Sequence, residues 1–321
     1  MFNLDKGVDF SAAEFDVVAI GEILVDIIST ELVPSFKEAE QFKRYFGGSP
    51  ANISMNLSSL GAKSALITKI GADGIGDYLK ERLIDGGVDT SGVVTSAEHN
   101  TSVVLVTQSK ESPDFIAYRD AEKYLKKEDI KKDLIANTKI IHLSTFALSA
   151  PITRQTLLQV IEIAREQDKM IALDPNYRPQ LWEGEADGPK FIKELLEQVN
   201  LVKPSLDDAA ALFGPGKSPK EYIAEFHNLG VELVILTLGA KGVIVSTGQE
   251  EIRLDSFAEQ VVDTTGAGDA FWSGFYASLT AGDRLEEAIK VGNAASALAL
   301  QEVGALADLP HKDEIMEYFD L

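Results

Sequence analysis

Short apolar runs, of the kind that form buried strands, alternate with amphipathic stretches along most of the chain. Within residues 155–167, Leu158, Ile161 and Ala164 recur at helical spacing, which predicts a helix. The predicted strands span residues 16–20, 65–70, 139–143, 170–173, 201–202 and 233–236. Near-continuous apolar strands that alternate with helices are typical of a mostly parallel sheet covered by helices on both faces. We therefore expect an α/β fold built as one domain over residues 1–321.

Two segments interrupt this alternation, at about residues 22–47 and 99–119. The first has apolar residues at alternate positions, as a half-buried strand does. The second contains β-type runs at 103–106 and 115–118 with a turn over residues 109–112, which predicts a hairpin. A small sheet formed by these segments outside the main sheet would be a lid that shields a reacting phosphate from water. The pattern is equally compatible with strands that extend the edge of the main sheet.

The composition narrows the functional classes. There are 51 Asp and Glu residues against 30 Lys and Arg, a net charge of −21, which disfavours nucleic acid or an anionic membrane as a partner. The chain has no run of about 18 apolar residues that would span a membrane. Its start lacks the basic and apolar regions of a secretory signal, so we expect a cytoplasmic protein. Because the chain has no Cys, thiolate catalysis and thiolate metal sites are excluded.

The strongest candidate for chemistry is a glycine-rich turn at residues 263–268. It follows a strand-like run that ends at Val262, and a helix is predicted over residues 269–279. A helix that begins after small residues offers unpaired N–H groups to an anion. Asp269, in the first turn, would lie beside a bound phosphate, where it could take the proton of an attacking hydroxyl. The alternative is a helix acid that only complements the dipole.

Three further features favour the catalytic interpretation of Asp269. Paired glycines at 47–48 precede another predicted helix, and Asn52 has a short amide that can bind a polyol. Asp26 lies in a strand-like run, where Asp is disfavoured unless it has a polar partner. The turn at residues 237–242 follows an apolar strand, as expected for a nucleotide contact at the carboxyl edge of a sheet.

These motifs resemble those of the pfkB, or ribokinase-like, carbohydrate kinases. Residues 47–52 (Gly-Gly-Ser-Pro-Ala-Asn) resemble the family's N-terminal signature, and residues 263–271 (Asp-Thr-Thr-Gly-Ala-Gly-Asp-Ala-Phe) resemble its C-terminal signature. The resemblance extends over about residues 15–309. It implies a ribokinase-like fold with a β-sheet lid, ATP and Mg²⁺ as cofactors, and transfer of a phosphoryl group to a sugar hydroxyl.

The resemblance also implies roles for individual residues. Asp269 would be the general base, and the backbone of Gly266, Ala267 and Gly268 would form the anion hole. The residues expected to bind the sugar are Asp26, Gly47, Gly48, Asn52 and Arg178. The residues expected to bind the nucleotide are Lys203, Thr237, Gly239 and Asn293. Asp263 and Thr265 occupy the position where many members hold a monovalent cation, which makes K⁺ an expected cofactor. Alternatively, Asp263 caps the turn through its own backbone.

One position departs from the family pattern. Many members carry Asn-x-x-Glu on the turn after the strand at residues 201–202, whereas this chain has Ser205 and Asp208. Asp208 keeps a carboxylate that is one carbon shorter. An indirect contact with Mg²⁺ through water is therefore the expectation for Asp208.

The substrate is less well determined than the reaction. Residues 174–182 resemble bacterial fructokinases, and also the kinases of 2-keto-3-deoxygluconate and 5-dehydro-2-deoxygluconate. Arg178 would bind a substrate carboxylate in the sugar-acid kinases, but could equally contact ATP phosphates or pair with an Asp. Residues 118–121 also resemble the sugar-acid kinases. Ser49 replaces the Lys that is common after the paired glycines of ribokinases. Conversion of fructose to fructose 6-phosphate is our leading prediction.

Two further expectations concern partners and function class. Lid sheets of this fold class can pair between protomers, so a homodimer through the lid is expected, with the sugar and ATP as the small-molecule partners. A protein of another class, a non-catalytic regulator that binds sugar and nucleotide, is the alternative to an enzyme. Retention of Asp269 argues against that alternative.

Overall fold

The computed structural model describes residues 2–108, 114–182 and 188–321. The turn expected over residues 109–112 lies outside these ranges. The strands are β1 (Phe15–Ile20), β2 (Leu24–Leu32), β3 (Phe42–Gly47), β4 (Ser64–Gly71), β5 (Val93–Ser96), β6 (Val103–Gln108), β7 (Phe115–Tyr118), β8 (Thr138–Ser144), β9 (Met170–Asp174), β10 (Leu201–Val202), β11 (Leu233–Thr237), β12 (Val243–Ser246) and β13 (Glu251–Leu254). The α-helices are α1 (Ser49–Ser59), α2 (Gly74–Asp85), α3 (Lys132–Ala136), α4 (Thr145–Leu148), α5 (Pro151–Glu166), α6 (Gly188–Leu196), α7 (Leu206–Phe213), α8 (Pro219–Asn228), α9 (Ala267–Ala281), α10 (Leu285–Ala299) and α11 (Lys312–Phe319).

Within the described residues, nine strands form the main sheet in the order β13-β12-β11-β10-β9-β8-β1-β4-β5. The strands from β11 to β5 in this order pair in parallel, and β12 and β13 run antiparallel at one edge. The central strands are apolar along their whole length because helices cover both faces of the sheet. The predicted α/β fold and the six predicted strands are confirmed.

The lid is a separate sheet. Within the described parts of the chain it has four strands in the order β3-β2-β6-β7, and none of them pairs with the main sheet. Strands β6 and β7 pair antiparallel, as expected for the predicted hairpin. Of the two arrangements that the pattern allowed, the structure therefore has the lid.

One expected element is wrong. Val261 and Val262 do not end a strand, since the last strand stops at Leu254 and these two side chains are exposed in a loop. A hydrogen bond from the Val262 N–H to the Leu300 carbonyl, 2.7 Å long, holds this loop instead of a ladder. Two adjacent β-branched residues resemble a strand in sequence, but here no neighbouring strand is available to pair with them.

Helix α9, which carries Asp269, is deeply buried. The side chains of Trp272, Phe275 and Tyr276 are fully buried between the sheet, α1 and α10. Burial of a large apolar side chain contributes about 1.5–3 kcal/mol, so this packing fixes the position of the first turn of α9. Among the described residues, no helix is long and apolar enough to span a bilayer.

Candidate active site

Polar side chains gather at the carboxyl edge of the main sheet. Asp174 is the last residue of β9, Ser144 is the last residue of β8, and Lys203 directly follows β10. In open parallel sheets, ligands bind outside this edge. The predicted site residues on α1 and α9 lie beside it, because both helices begin there. A separate cavity of about 850 Å³ opens at the amino ends of β8 and β9, away from these groups.

Asp269 is held by two side chains from the start of α1. Ser49 Oγ donates to Asp269 Oδ1 at 2.6 Å, and Asn52 Nδ2 donates to Asp269 Oδ2 at 2.9 Å. Burial raises the pKa of Asp269 to about 6, while these two bonds and the charge of Lys203 lower it and the charge of Asp174 raises it. A carboxylate with this pKa is ionised at neutral pH and still basic enough to accept a proton. Sequence reasoning did not find the role of Ser49, although its place beside the paired glycines was a signal.

The start of α9 has the geometry of an anion site. Gly266 occupies the N-cap position with φ 78°, in the left-handed region, and no side chain caps the helix. A Cβ at Gly266 would also collide with the carbonyl oxygen of Ala305. Glycine is therefore required here on two counts. The N–H groups of Ala267 and Gly268 remain at the positive end of the helix dipole, where an anion is stabilised.

A buried cation lies against this turn. Lys203 Nζ is 3.5 Å from Asp174 Oδ2, and the side chain of Lys203 is only 5% exposed. A Cβ built on Gly268 would lie 3.4 Å from the same nitrogen, so Lys203 reaches the start of α9. Asp174 also accepts a hydrogen bond of 2.9 Å from Trp272 Nε1. Nucleotide binding by Lys203 stays a prediction, whereas the contacts of Asp174 and Trp272 were not anticipated from the sequence.

Asp26 faces Asp269 from the lid. It lies on β2, and its carboxylate packs on the backbone of Gly47, where a Cβ would collide with Oδ2. Burial, together with the charge of Asp269, raises the pKa of Asp26 to about 7. Within the described residues, the Asp26 carboxylate makes no hydrogen bond. It can therefore accept hydroxyl donors from a bound molecule.

The two arginines that bear on the substrate differ sharply. Arg119 is largely buried and uses three of its five N–H donors: it donates to Glu122 Oε1 at 2.6 Å, to Ser149 Oγ and to the carbonyl of Phe146. Arg178 follows β9 on an exposed turn, and its guanidinium donates to the carbonyl of Tyr177 at 3.2 Å. Of these two arginines, Arg178 is the one whose charge is not paired with a carboxylate in the described structure.

Besides Lys203, the three residues expected to bind nucleotide lie on three further elements. Thr237 ends β11, where its N–H donates to the Pro204 carbonyl at 3.0 Å. Gly239 follows in a short turn with φ 59° and open space on its Cα. Asn293, on α10, donates through Nδ2 to the Asp255 carbonyl at 2.8 Å, which holds the loop after β13. The structure shows a structural bond for Asn293 and leaves the surface around Gly239 open.

Asp263 organises the glycine-rich turn through three hydrogen bonds. Its Oδ1 accepts from the N–H of Thr265 at 2.9 Å and from Thr265 Oγ1 at 2.8 Å. Its Oδ2 accepts from the Gly304 N–H at 3.0 Å, which joins the turn to the segment after α10. These are the bonds expected of a residue that caps a turn, the alternative given above for Asp263. The monovalent cation stays a prediction.

Asp208 has a structural environment. Its Oδ2 accepts from Ser205 Oγ at 2.6 Å and from the Ser205 N–H at 3.0 Å, a capping box at the start of α7. Its Oδ1 accepts from the Tyr177 N–H at 2.8 Å, which ties the turn after β9 to α7. The indirect Mg²⁺ contact of Asp208 therefore stays a prediction.

Across the described ranges, no group of three or more His, Asp and Glu side chains could by itself hold a metal ion. Mg²⁺ that accompanies a nucleotide is bound through the phosphates, its own waters and one or two carboxylates, so it needs no protein cage. The residues present fit that mode, because Asp174 and Asp269 lie beside the uncapped start of α9.

Comparison with known proteins agrees with this geometry. The family model of pfkB family carbohydrate kinases matches residues 14–312. The ATP-dependent 6-phosphofructokinase of Thermoanaerobacterium thermosaccharolyticum is 44% identical over 321 residues, 100% of this chain and 99% of the relative. A fructokinase structure from Halothermothrix orenii is 46% identical with a TM-score of 0.79, covering 87% of this chain and 97% of that one. A double-mutant fructokinase from Vibrio cholerae, bound to fructose, ADP and potassium ion, is 26% identical with a TM-score of 0.84, covering 96% and 99%.

Proposed function

Because this chain belongs to the pfkB family of carbohydrate kinases, we propose that it transfers the γ-phosphoryl group of ATP to fructose, giving fructose 6-phosphate. The observation that carries the proposal is the carboxylate of Asp269, which Ser49 and Asn52 hold beside the uncapped start of α9, with the charge of Asp26 on the lid acting on it. A sugar hydroxyl can approach Asp269 there. The phosphoryl group to be transferred would then lie against the positive end of the helix dipole. A fructokinase at 46% identity supports fructose as the acceptor.

Each group of residues has a distinct role in the proposed reaction. Asp269 takes the proton of the attacking hydroxyl as the new P–O bond forms and the bond to the leaving ADP breaks. The N–H groups at the start of α9 and the Lys203 ammonium stabilise the charge on the transferring phosphoryl group. ATP with Mg²⁺ supplies that group in partly neutralised form. Asp26, together with the backbone at Gly47 and Gly48, accepts and orients the other sugar hydroxyls.

The state of the arginines favours a neutral sugar over a sugar acid. The charge of Arg119 is already paired with the buried carboxylate of Glu122, and three of its N–H donors bind Glu122, Ser149 and Phe146, which makes it a poorer partner for a substrate carboxylate. Arg178 is the one candidate among the described residues at this turn, and it lies on the surface. If the substrate is fructose, Arg178 contacts the nucleotide phosphates or solvent rather than the sugar.

A second candidate acceptor is fructose 6-phosphate. It rests on the 44% identity, over the whole chain, with an ATP-dependent 6-phosphofructokinase. Both reactions use the same base and the same anion site, so the site geometry described above serves either acceptor. The kinases of 2-keto-3-deoxygluconate and 5-dehydro-2-deoxygluconate remain the sugar-acid alternative.

ADP release with these four acceptors decides among them. We expect the highest kcat/KM with fructose, and we expect Arg178→Ala to change the KM for ATP more than the KM for fructose. Arg165→Ala, an exposed Arg at the far edge of the sheet, is the matched control. A higher kcat/KM with fructose 6-phosphate or a sugar acid refutes fructose as the substrate. No ADP release with any acceptor favours the non-catalytic regulator.

Other assignments are part of the same proposal. Thr237, Gly239 and Asn293 line the nucleotide site, and Asn52 contacts the sugar through the oxygen that it does not use on Asp269. The protein acts in the cytoplasm as one domain and pairs through the lid, whose strands expose Leu32, Ile116 and Tyr118. Light scattering at several concentrations, with Tyr118→Lys as the disrupting variant, tests the dimer.

A further inference from the structure

Glu22 is a buried carboxyl group for which the proposed reaction has no use. It lies between β1 and β2, where the chain first crosses from the main sheet to the lid, and it is 3% exposed. Its Oε2 lies 2.7 Å from Ser144 Oγ, at the end of β8. Its Oε1 accepts the N–H of Ser49 at 3.3 Å, at the start of α1. One side chain therefore joins three separate elements.

Glu22 accepts a backbone N–H of α1 for which the local sequence provides no acceptor. A helix start has N–H groups without intrahelical partners, which an N-cap side chain usually accepts. In α1 the N-cap is Gly48, which has no side chain, and no local cap bond forms. Pro50 has no N–H, and the N–H of Ser49 is a buried donor of this turn that needs an acceptor from outside the helix. Glu22 accepts it from a distant part of the chain.

Ser49 connects this cap to the proposed base. Its backbone N–H binds Glu22, while its hydroxyl donates to Asp269 Oδ1 at 2.6 Å. Displacement of the first turn of α1 would move that hydroxyl, and with it Asn52 one turn further along, away from Asp269. We propose that Glu22 is a positioning residue for phosphoryl transfer: it caps α1 from the lid crossing and thereby holds Ser49 against Asp269. This inference rests on the proposed function.

The chemistry of Glu22 shows which substitution should preserve this role. Burial raises the pKa of Glu22 to about 8, and the charge of Glu122 acts in the same direction. The hydrogen bond from Ser144 and the charge of Arg119 lower the pKa. Ser144 Oγ donates to Oε2 and the Ser49 N–H donates to Oε1, so both oxygens of Glu22 accept. The amide of Gln keeps an acceptor for Ser49 at the same length, and its NH₂ group can donate to Ser144 Oγ once that hydroxyl rotates.

A purely structural role at the lid crossing is the competing explanation. Glu122 provides the matched comparison, because it is another buried carboxylate where the chain leaves the lid. It binds Arg119 at 2.6 Å and Ser102 Oγ at 2.6 Å, and neither bond reaches α1. If buried carboxylates here only hold the lid in place, loss of either one should have the same effect.

The test compares Glu22→Leu, Glu22→Gln and Glu122→Gln with the wild type. Fructose-dependent ADP release gives kcat and KM, and fluorescence titration with a labelled ADP gives nucleotide affinity independently of turnover. We expect Glu22→Leu to lower kcat about 10- to 100-fold, since misplacement by about 1 Å costs up to that much. The fructose KM and the ADP affinity should stay within about threefold. Glu22→Gln and Glu122→Gln should keep kcat within about threefold of the wild type.

Three results overturn the inference: a Leu variant with wild-type kcat, a Gln variant as impaired as the Leu variant, or a parallel loss of ADP affinity. If the Leu variant does not fold, Glu22→Asp replaces it. The Asp side chain is shorter by one methylene, which moves the carboxyl away from Ser49, so kcat should fall about 3- to 10-fold. An unchanged kcat in Glu22→Asp would also overturn the inference. A wild-type protein that releases no ADP with any of the four acceptors refutes the proposed function instead.

Discussion

The bond from Ser49 to Asp269 gives the most direct test of the proposed base. In Ser49→Ala, Asp269 Oδ1 loses a donor at 2.6 Å, while Asn52 still donates to the other oxygen at 2.9 Å. The ionised form of Asp269 gains more from this hydroxyl than the neutral form does. Loss of the hydroxyl should therefore raise the pKa of Asp269 and leave a smaller share of the enzyme with an active base.

The size of the effect follows from the strength of such bonds. A hydrogen bond to a charged group is worth about 1.5–3 kcal/mol, and one pKa unit corresponds to about 1.36 kcal/mol. The pKa of Asp269 should rise from about 6 by about 1–2 units. The sign is that of a base that must be ionised: activity is present above the pKa and is lost as pH falls through it. The variant should thus lose activity at pH 7, where the wild type retains it.

The assay is the pH dependence of kcat/KM for fructose between about pH 5 and 9. Asp26, with a pKa of about 7, titrates in the same pH range. The test is therefore the difference between the wild type and the variant in the pH at which kcat/KM falls by half, and not the value of that pH in either protein. Ser273→Ala is the matched control. Ser273 is buried and donates at 2.7 Å to the backbone carbonyl of Asp269, not to its carboxylate. The fall of kcat/KM at low pH, the acid limb of the profile, should occur at the same pH in Ser273→Ala as in the wild type.

The reasoning fails if Ser49→Ala and the wild type have the same acid limb. It also fails if Ser273→Ala displaces the limb as far as Ser49→Ala does, because a general loosening of α9 would then explain both. Lys203, Asp174 and Asp26, the other charged groups that act on Asp269, are unchanged in all variants.

Three further outcomes are expected. Asp269→Asn should lower kcat by roughly 10²–10⁴-fold with ADP affinity retained in a fluorescence titration, and near wild-type turnover would exclude it as the base. Gly266→Ala should abolish nucleotide binding and lower Tm, because the added Cβ would collide with Ala305. Gly282→Ala is the control, since Gly282 also has a positive φ but lies in open space, and it should cost only about 1 kcal/mol of stability. Equal losses of stability in the two variants would contradict this reasoning. Turnover in K⁺ should exceed turnover in tetramethylammonium, and Asp263→Ala should remove the difference; equal rates in both salts refute a cation role.

The sequence alone determined the class of fold and the location of the glycine-rich turn that we propose takes part in the reaction. Apolar runs of strand length that alternate with amphipathic helices specify a covered parallel sheet, because both faces of each strand must be buried. The glycines around residue 266 and the acid at Asp269 are local features, since a left-handed N-cap and an open helix start depend on a few adjacent residues. These could be predicted because their causes lie close together in the chain.

Only the tertiary structure decided how the acid is held. Ser49 and Asp269 are 220 positions apart, and Glu22 is 27 positions from Ser49, so no local pattern joins them. The same holds for Lys203 with Asp174, for the separation of the lid from the main sheet, and for the exposed loop at Val261. Each depends on which strand ends and helix starts the fold brings together. The pKa of a buried carboxyl is set by those neighbours and by lost water, neither of which can be read from the order of residues.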